Sequence, residues 1–271
     1  MTMEPNLDKK TTTNGRSPQR KRFPWPVVVS VTAALLGWWL VGQLAGLPAF
    51  ILPTPEQVGE RFVRALLDGS LVLHTGITLL EVTLGLLAGA GSATVLGYLI
   101  AKSRLFEKIL APYLVASQAI PIVAIAPLLI IWFGTGILSK VLICALIVFF
   151  PVLVNTVVGV RAVSRNLRDL MRSLRASRWQ TLRHLETPAA LPVFLGGLRI
   201  GATLSVIGAV VGELASSDQG LGFLIYVGRG QYDTALVFVA VFTLVALALA
   251  LYGVVTWLEG RLLRWQEWRR D

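Results

Sequence analysis

Three polar side chains in this chain sit where polarity is costly, and their types suit hydrogen-bond recognition. Glu81 stands early in an apolar run (TLLEVTLGL), Gln118 stands in SQAIP, and Glu213 ends SVIGAVVGE. A charge inside an apolar segment is expensive and marks a pathway or a partner. A carboxylate accepts hydrogen bonds and an amide both donates and accepts, so together they suit an uncharged ring that carries N–H donors. Glu81 equally suits a position at headgroup level or a pairing with a neighbour, and Glu213 and Asp218 equally suit an exposed loop. Bond-breaking chemistry lacks its parts. The two histidines, His74 and His184, are far apart and not at ligand spacing. No His-Glu-x-x-His, G-x-S-x-G or P-loop occurs, and Gly220-x-Gly222 lacks the third glycine and the strand of a dinucleotide loop.

The elements that position these groups follow from composition. Of 271 residues, 55% are hydrophobic and 15% charged, with mean hydropathy +0.69. A soluble domain carries about 25% charged residues, so the chain reads as an all-α integral membrane protein. Its one cysteine, Cys144, lies in LICALIVFF, which excludes a disulfide framework and reads as a small packed hydrophobe. Six apolar segments are each long enough to cross a hydrocarbon core about 30 Å thick. They run over 25–46, 76–101, 109–133, 137–160, 189–215 and 235–258. The pattern Gly85-x-x-x-Gly89 within the second predicts close helix approach. Pro112, Pro121 and Pro127 in the third and Pro151 in the fourth predict kinks.

Charge placement orients the spans. Of 25 Lys and Arg residues, all but Arg61, Arg64, Lys140 and Arg229 fall on the side of the termini. That bias predicts both termini in the cytoplasm. It also accounts for the net charge of +10 without nucleic acid, because the basic groups are dispersed over inner connections. Residues 1–22 read as a disordered basic cytoplasmic tail and 266–271 as a short cytoplasmic tail, flanking a six-span transmembrane domain over 23–265. In the first outer connection, Pro48, Pro53 and Pro55 stop the first span, and Val58, Phe62, Leu66 and Leu67 mark a short amphipathic helix.

The longest inner connection, 161–188, contains RASRWQTLRHLETPAALP. Leu167, Leu170, Met171, Leu174, Leu182 and Leu185 recur at three- and four-residue spacing, which predicts an amphipathic helix or helix pair ended by Pro188. Such a segment either lies on anionic lipid or docks into the groove of a soluble partner.

This stretch resembles the cytoplasmic signature of binding-protein-dependent ABC importer permeases: Glu-Ala-Ala, three residues, Gly, nine residues, Ile-x-Leu-Pro. The matching positions are Asp169-Leu170-Met171, Arg175 and Leu185-x-Thr187-Pro188. The departures are Leu170-Met171 for Ala-Ala, Arg175 for Gly and Thr187 for Leu, and Arg175 replaces a flexible turn residue by a long cation. ILPTPEQV and residues 119–156 resemble the sulfonate, nitrate, taurine and pyrimidine-precursor permeases, and the similarity extends over residues 25–265.

The resemblance implies a type I ABC importer permease fold of six transmembrane helices in the bacterial cytoplasmic membrane. It implies a second permease copy, an ABC ATPase subunit that carries the ATP, and an extracytoplasmic substrate-binding protein, with membrane lipid around the spans and no cofactor in this chain. It places a coupling helix at about 165–187, with Leu174, Ala176, Trp179 and Leu182 in the ATPase groove and Arg178 and Arg183 at its rim. In the sulfonate, nitrate and taurine permeases an arginine commonly stands where this chain has Glu81 and Gln118. Loss of two cations and gain of an acid would repel an anion. With 205–213 and 220–234 resembling the riboflavin and thiamine-pyrimidine permeases, the expected cargo is a vitamin-like heterocycle, riboflavin first.

Overall fold

The computed structural model describes residues 25–44, 46 and 48–267. The expected tail over 1–22 and residues 268–271 of the expected C-terminal tail lie outside the described residues. All regular structure among the described residues is helical. In chain order the helices are α1 (Trp25–Leu44), α2 (Pro55–Leu67), α3 (Ser70–Lys102), α4 (Arg104–Gln118), α5 (Ile122–Phe133) and α6 (Ile137–Arg161). They continue as α7 (Arg165–Ser173), α8 (Arg178–Thr181), a π-turn (Leu182–Glu186), α9 (Thr187–Ala215), α10 (Leu221–Gly230), α11 (Thr234–Leu262) and α12 (Arg264–Glu267).

Four of these stretches are long and apolar enough to cross a membrane: Ser70–Lys102, Ile137–Arg161, Arg178–Ala215 and Thr234–Leu262. The third expected span, 109–133, is broken. α4 ends at Gln118, and Pro121 caps α5 in extended conformation at ψ 126°. Proline has no N–H to continue the ladder and pushes the preceding residue out of the helical region. The resulting pieces of 15 and 12 residues span only about 22 and 18 Å at 1.5 Å per residue. Pro112, Pro127 and Pro151 remain inside helices. A second departure is α10, which forms in the connection after the fifth span where no helix was expected.

The bundle is organised around α6, whose Ile143, Cys144, Val148 and Val152 are wholly buried. α3 and α9 close to backbone contact with it. A Cβ on Gly89 would lie 2.5 Å from the Ala145 carbonyl oxygen, and one on Gly208 would lie 2.9 Å from the Cys144 Cα. Small residues allow this approach, and dispersion contacts replace the hydrophobic drive that lipid does not supply. The sequence reading of Gly85 and Gly89 as a packing pair is thus the observed one, since a Cβ on Gly85 would collide with Cys144.

α1 lies mostly outside this core. It is held through Trp38, whose Nε1 donates to the Pro53 carbonyl at 3.1 Å and whose ring stacks on Phe238 with centroids 5.2 Å apart. Its other large apolar residues, from Val28 to Leu44, are exposed, as suits a surface facing hydrocarbon. α5 buries Ala126 and Leu129 against Ile143 and exposes Ile131 and Trp132.

One end of the bundle gathers α2, α10 and the start of α6. There the Arg61 Nε donates to Asp233 at 2.7 Å, tying α2 to the first residue before α11. The opposite, basic end carries α7, α8 and the π-turn. It is held by Arg161 bidentate to Glu107 at 2.9 and 2.8 Å, and by an Arg199–Glu259 ion pair between α9 and α11.

Candidate functional site

At the end of the bundle that carries α2 and α10, three chain segments meet at one buried carboxylate. Thr78 Oγ1 donates to Glu213 Oε1 at 2.6 Å, and the Gly222 amide donates to Glu213 Oε2. The Leu221 amide donates to Thr78 Oγ1 at 2.9 Å, and the Gly220 amide donates to His74 Nδ1 at 2.9 Å. Glu213 therefore caps the N-terminus of α10 from α9, a place where a negative charge meets unpaired amides and the positive end of the helix dipole. Gly220 adopts φ +107°, and a Cβ there would meet Glu213 Oε1 at 2.2 Å. A Cβ on Gly222 would meet the Glu213 Cβ at 2.8 Å. The Gly-x-Gly pair makes room for this side chain.

One helical turn beyond Thr78, Glu81 interacts with Glu213 and lies with its Oε1 4.0 Å from Lys140 Nζ. Lys140 also donates to the Thr135 carbonyl at 3.0 Å. Glu81 and Glu213 are each 1% exposed and Lys140 is 4% exposed. Glu81 thus pairs with the Lys140 ammonium at the limit of ion-pair distance, close to Glu213, which brings charged groups of α3, α6 and α9 together inside the bundle. Buried charges of this kind persist only when paired and hydrogen-bonded.

The Glu81 side chain is enclosed between helices beside a charged neighbour, one of the placements its sequence left open. Glu213, expected at an accessible outer end, is equally enclosed, although it floors a shallow polar hollow of about 380 Å³ edged by Thr135, Asp218 and Tyr226. Gln118 closes α4, and its side chain lies outside the described residues. The sequence reading missed Thr78 and Lys140, having placed Lys140 among ordinary outer-side cations. It also dismissed Gly220-x-Gly222 because it searched that motif only for a nucleotide loop.

At the basic end, α7 and α8 form the expected helix pair. Ser164 Oγ caps α7 by accepting from the Leu167 amide at 3.4 Å. α7 ends in two bonds: the Arg175 amide to the Arg172 carbonyl and the Ala176 amide to the Met171 carbonyl, both 2.9 Å. This is the Schellman pattern, which places a left-handed residue just past the helix, usually glycine. Arg175 occupies it at φ +53°. Ser177 and Gln180 then form a reciprocal capping box, with Ser177 N to Gln180 Oε1 at 2.7 Å and Gln180 N to Ser177 Oγ at 3.2 Å. The turn geometry of the signature is kept with an arginine in the glycine's place.

Of the residues expected to dock a partner, Leu174 and Trp179 are the most exposed, at 68% and 67%. Arg178 and Arg183 are exposed beside them, whereas Ala176 and Leu182 are half-buried. The segment is anchored to the bundle through Glu186, 1% exposed, which accepts from Lys102 Nζ and, at 3.2 Å, from Tyr98 OH. Glu186 was an unread position of the signature. Its role needed Lys102, 84 residues away, to be visible.

Among the described residues no three His, Cys, Asp or Glu side chains gather as a metal site. The arrangement is one of packing, ion pairing and an exposed apolar edge on α7 and α8.

Residues 93–264 match the family model described as binding-protein-dependent transport system inner membrane component. The chain is 46% identical over 249 residues to the riboflavin transport system permease protein RibX of Chloroflexus aurantiacus, covering 91% of this chain and 93% of that one. It is 35% identical over 230 residues to the formylaminopyrimidine transport permease protein ThiX of Halalkalibacterium halodurans, covering 85% and 91%. It is 34% identical over 252 residues to the putative aliphatic sulfonates transport permease protein SsuC of Bacillus subtilis, covering 93% and 91%.

Proposed function

The chain belongs to the binding-protein-dependent transport system inner membrane components, and on that premise we propose that it is the permease subunit of an ATP-driven importer of a small uncharged heterocycle, riboflavin before a pyrimidine precursor of thiamine. The observation that carries the cargo is the 46% identity to a riboflavin permease over nearly the whole of both chains. A neutral amide at Gln118, where anion permeases commonly carry arginine, supports it.

The protein is a multi-pass membrane permease. In our reading the basic end faces the bacterial cytoplasm and two copies pair across the membrane. A separate ABC ATPase then docks on α7 and α8 through Leu174, Ala176, Trp179 and Leu182, with Arg178 and Arg183 at the rim. ATP binds and is hydrolysed on that partner, and an extracytoplasmic binding protein delivers the cargo to the outer end. Closure of the ATPase pair moves the docking segment. Glu186 and its bonds to α3 pass that movement to the bundle, which alternates between outward and inward access. Glu81, Glu213 and Lys140 tie the outer halves of α3, α6 and α9, so the outward opening must rearrange around or through them.

A second reading, transport of a sulfonate or similar anion, is favoured by the 34% identity to the sulfonate permease. Uptake of fluorescent riboflavin into cells expressing the chain with its binding protein and ATPase separates the two. Saturable, ATP-dependent uptake that taurine does not compete supports the heterocycle. Taurine or sulfonate transport without riboflavin uptake overturns it.

A further inference from the structure

Near the basic end, a cavity of about 410 Å³ lies between α3 and α9 with α6 as its floor. Val95 and Tyr98 form one wall, Leu191 and Phe194 the other, and Thr156 lies beneath. Small-molecule sites have volumes of about 300–1,000 Å³ and are mostly apolar, with a few convergent polar groups. This cavity matches that chemistry. Its polar end is Glu186, buried and already accepting from Lys102 and Tyr98. A carboxylate has about four lone-pair sites, so two bonds leave acceptor capacity.

The charges at this end cancel, because Lys102 pairs with Glu186. No Lys or Arg is among the residues lining the cavity. An anionic cargo finds no counter-charge there, and a lipid chain has no use for the carboxylate. A flat uncharged ring uses both features: its faces lie against aliphatic and aromatic walls, and its N–H groups reach Glu186 and the Tyr98 hydroxyl.

We propose that this cavity is a second binding site for a planar uncharged heterocycle, reached from the basic end, and that its occupancy acts on the docking segment. Leu182 and Glu186 belong both to the cavity wall and to the π-turn that joins α8 to α9. π-turns of this kind recur at functional sites. A ligand wedged against them favours one arrangement of the segment that carries the ATPase, which is how a binding event couples to a distant partner. The compound's identity rests on the importer reading above. The site itself rests on the cavity.

The test uses the permease assembled with its ATPase in lipid nanodiscs without the binding protein, with riboflavin as the probe and its own fluorescence as the signal. Wild type should quench the flavin saturably, and riboflavin should change its ATPase rate at least twofold. Val95→Trp fills the cavity from a side chain that is 65% exposed and outside the core. It should weaken binding at least tenfold and abolish the ATPase response. Tyr98→Phe, which keeps the ring and removes the hydroxyl, should weaken binding about threefold.

Equal binding by wild type and both variants overturns the site. So does a phospholipid that native mass spectrometry finds on wild type but not on Val95→Trp, and that riboflavin does not displace. Riboflavin uptake by wild type without quenching overturns this site and leaves the cargo standing. Quenching without uptake leaves this site standing and overturns the cargo.

Discussion

The Gly222 amide donates to the carboxylate of Glu213, nine residues earlier in the chain, and no side chain larger than hydrogen fits at Gly222 against it. A buried acid on one membrane helix thereby caps the next. The loop between them is folded back onto α3, where Thr78 and His74 accept from the Leu221 and Gly220 amides. This geometry explains an acid at the end of an apolar helix without requiring it to touch cargo.

Gly222→Ala should lower the thermal midpoint of the detergent-purified protein by an amount corresponding to about 1–3 kcal/mol, the usual cost of overpacking. Gly220→Ala should cost more, because its φ of +107° strains any residue with a Cβ in addition to the collision. Thermal unfolding followed by size-exclusion or tryptophan fluorescence reads both. An unchanged midpoint for Gly220→Ala would mean that the loop can leave Glu213 freely.

Lys140→Met removes the ammonium that pairs with Glu81 and leaves that buried carboxyl without it. Breaking a buried ion pair costs about 3–5 kcal/mol, so folded yield should fall sharply. Adding Glu81→Gln should restore part of the loss, with a coupling of about 0.5–3 kcal/mol in a double-mutant cycle. Additive effects would show that the 4.0 Å contact carries no energy.

Arg175→Gly should stabilise the turn after α7. A left-handed residue with a side chain costs about 1–2 kcal/mol relative to glycine. Hydrogen exchange at the Arg172–Ala176 turn should slow by roughly fivefold or more, since about 1 kcal/mol is a factor near five in a local opening equilibrium. Faster exchange would mean that the arginine side chain makes a compensating contact.

Leu174→Asp and Trp179→Ala should each weaken binding of the ATPase at least tenfold, about 1.4 kcal/mol, while membrane insertion and thermal midpoint stay the same. Both side chains are about two-thirds exposed, so neither supports the fold. Leu182→Asp should instead lower the midpoint, because that residue is half-buried on the cavity side. Normal ATPase binding by both Leu174→Asp and Trp179→Ala would remove α7 and α8 as the docking edge.

Most of the helical framework was readable along the chain, because a membrane helix announces itself by local apolarity and by the positive charges that flank it. The break at Pro121 and the unexpected helix α10 were the exceptions. Three prolines in one apolar run read alike, and only the folded chain separates the one that ends a helix from those that bend within it. The helix pair over 165–187 was legible from leucine spacing, because helical period is a property of near neighbours.

The polar clusters were not legible in the same way. Glu81 and Glu213 were visible as costly acids, but a sequence does not say whether such an acid faces water or another helix. Thr78 meets Glu213 across 135 residues, and Lys102 meets Glu186 across 84. By itself the sequence determined an all-helical membrane protein with a basic end and an amphipathic segment upon it, because hydropathy, charge bias and helical period are properties of neighbours. Only the tertiary structure decided that Glu213 caps α10, that Lys140 pairs with Glu81 and that Glu186 ties the segment to α3. Those outcomes depend on which helix faces reach backbone contact, and that follows from the joint packing of α3, α6 and α9.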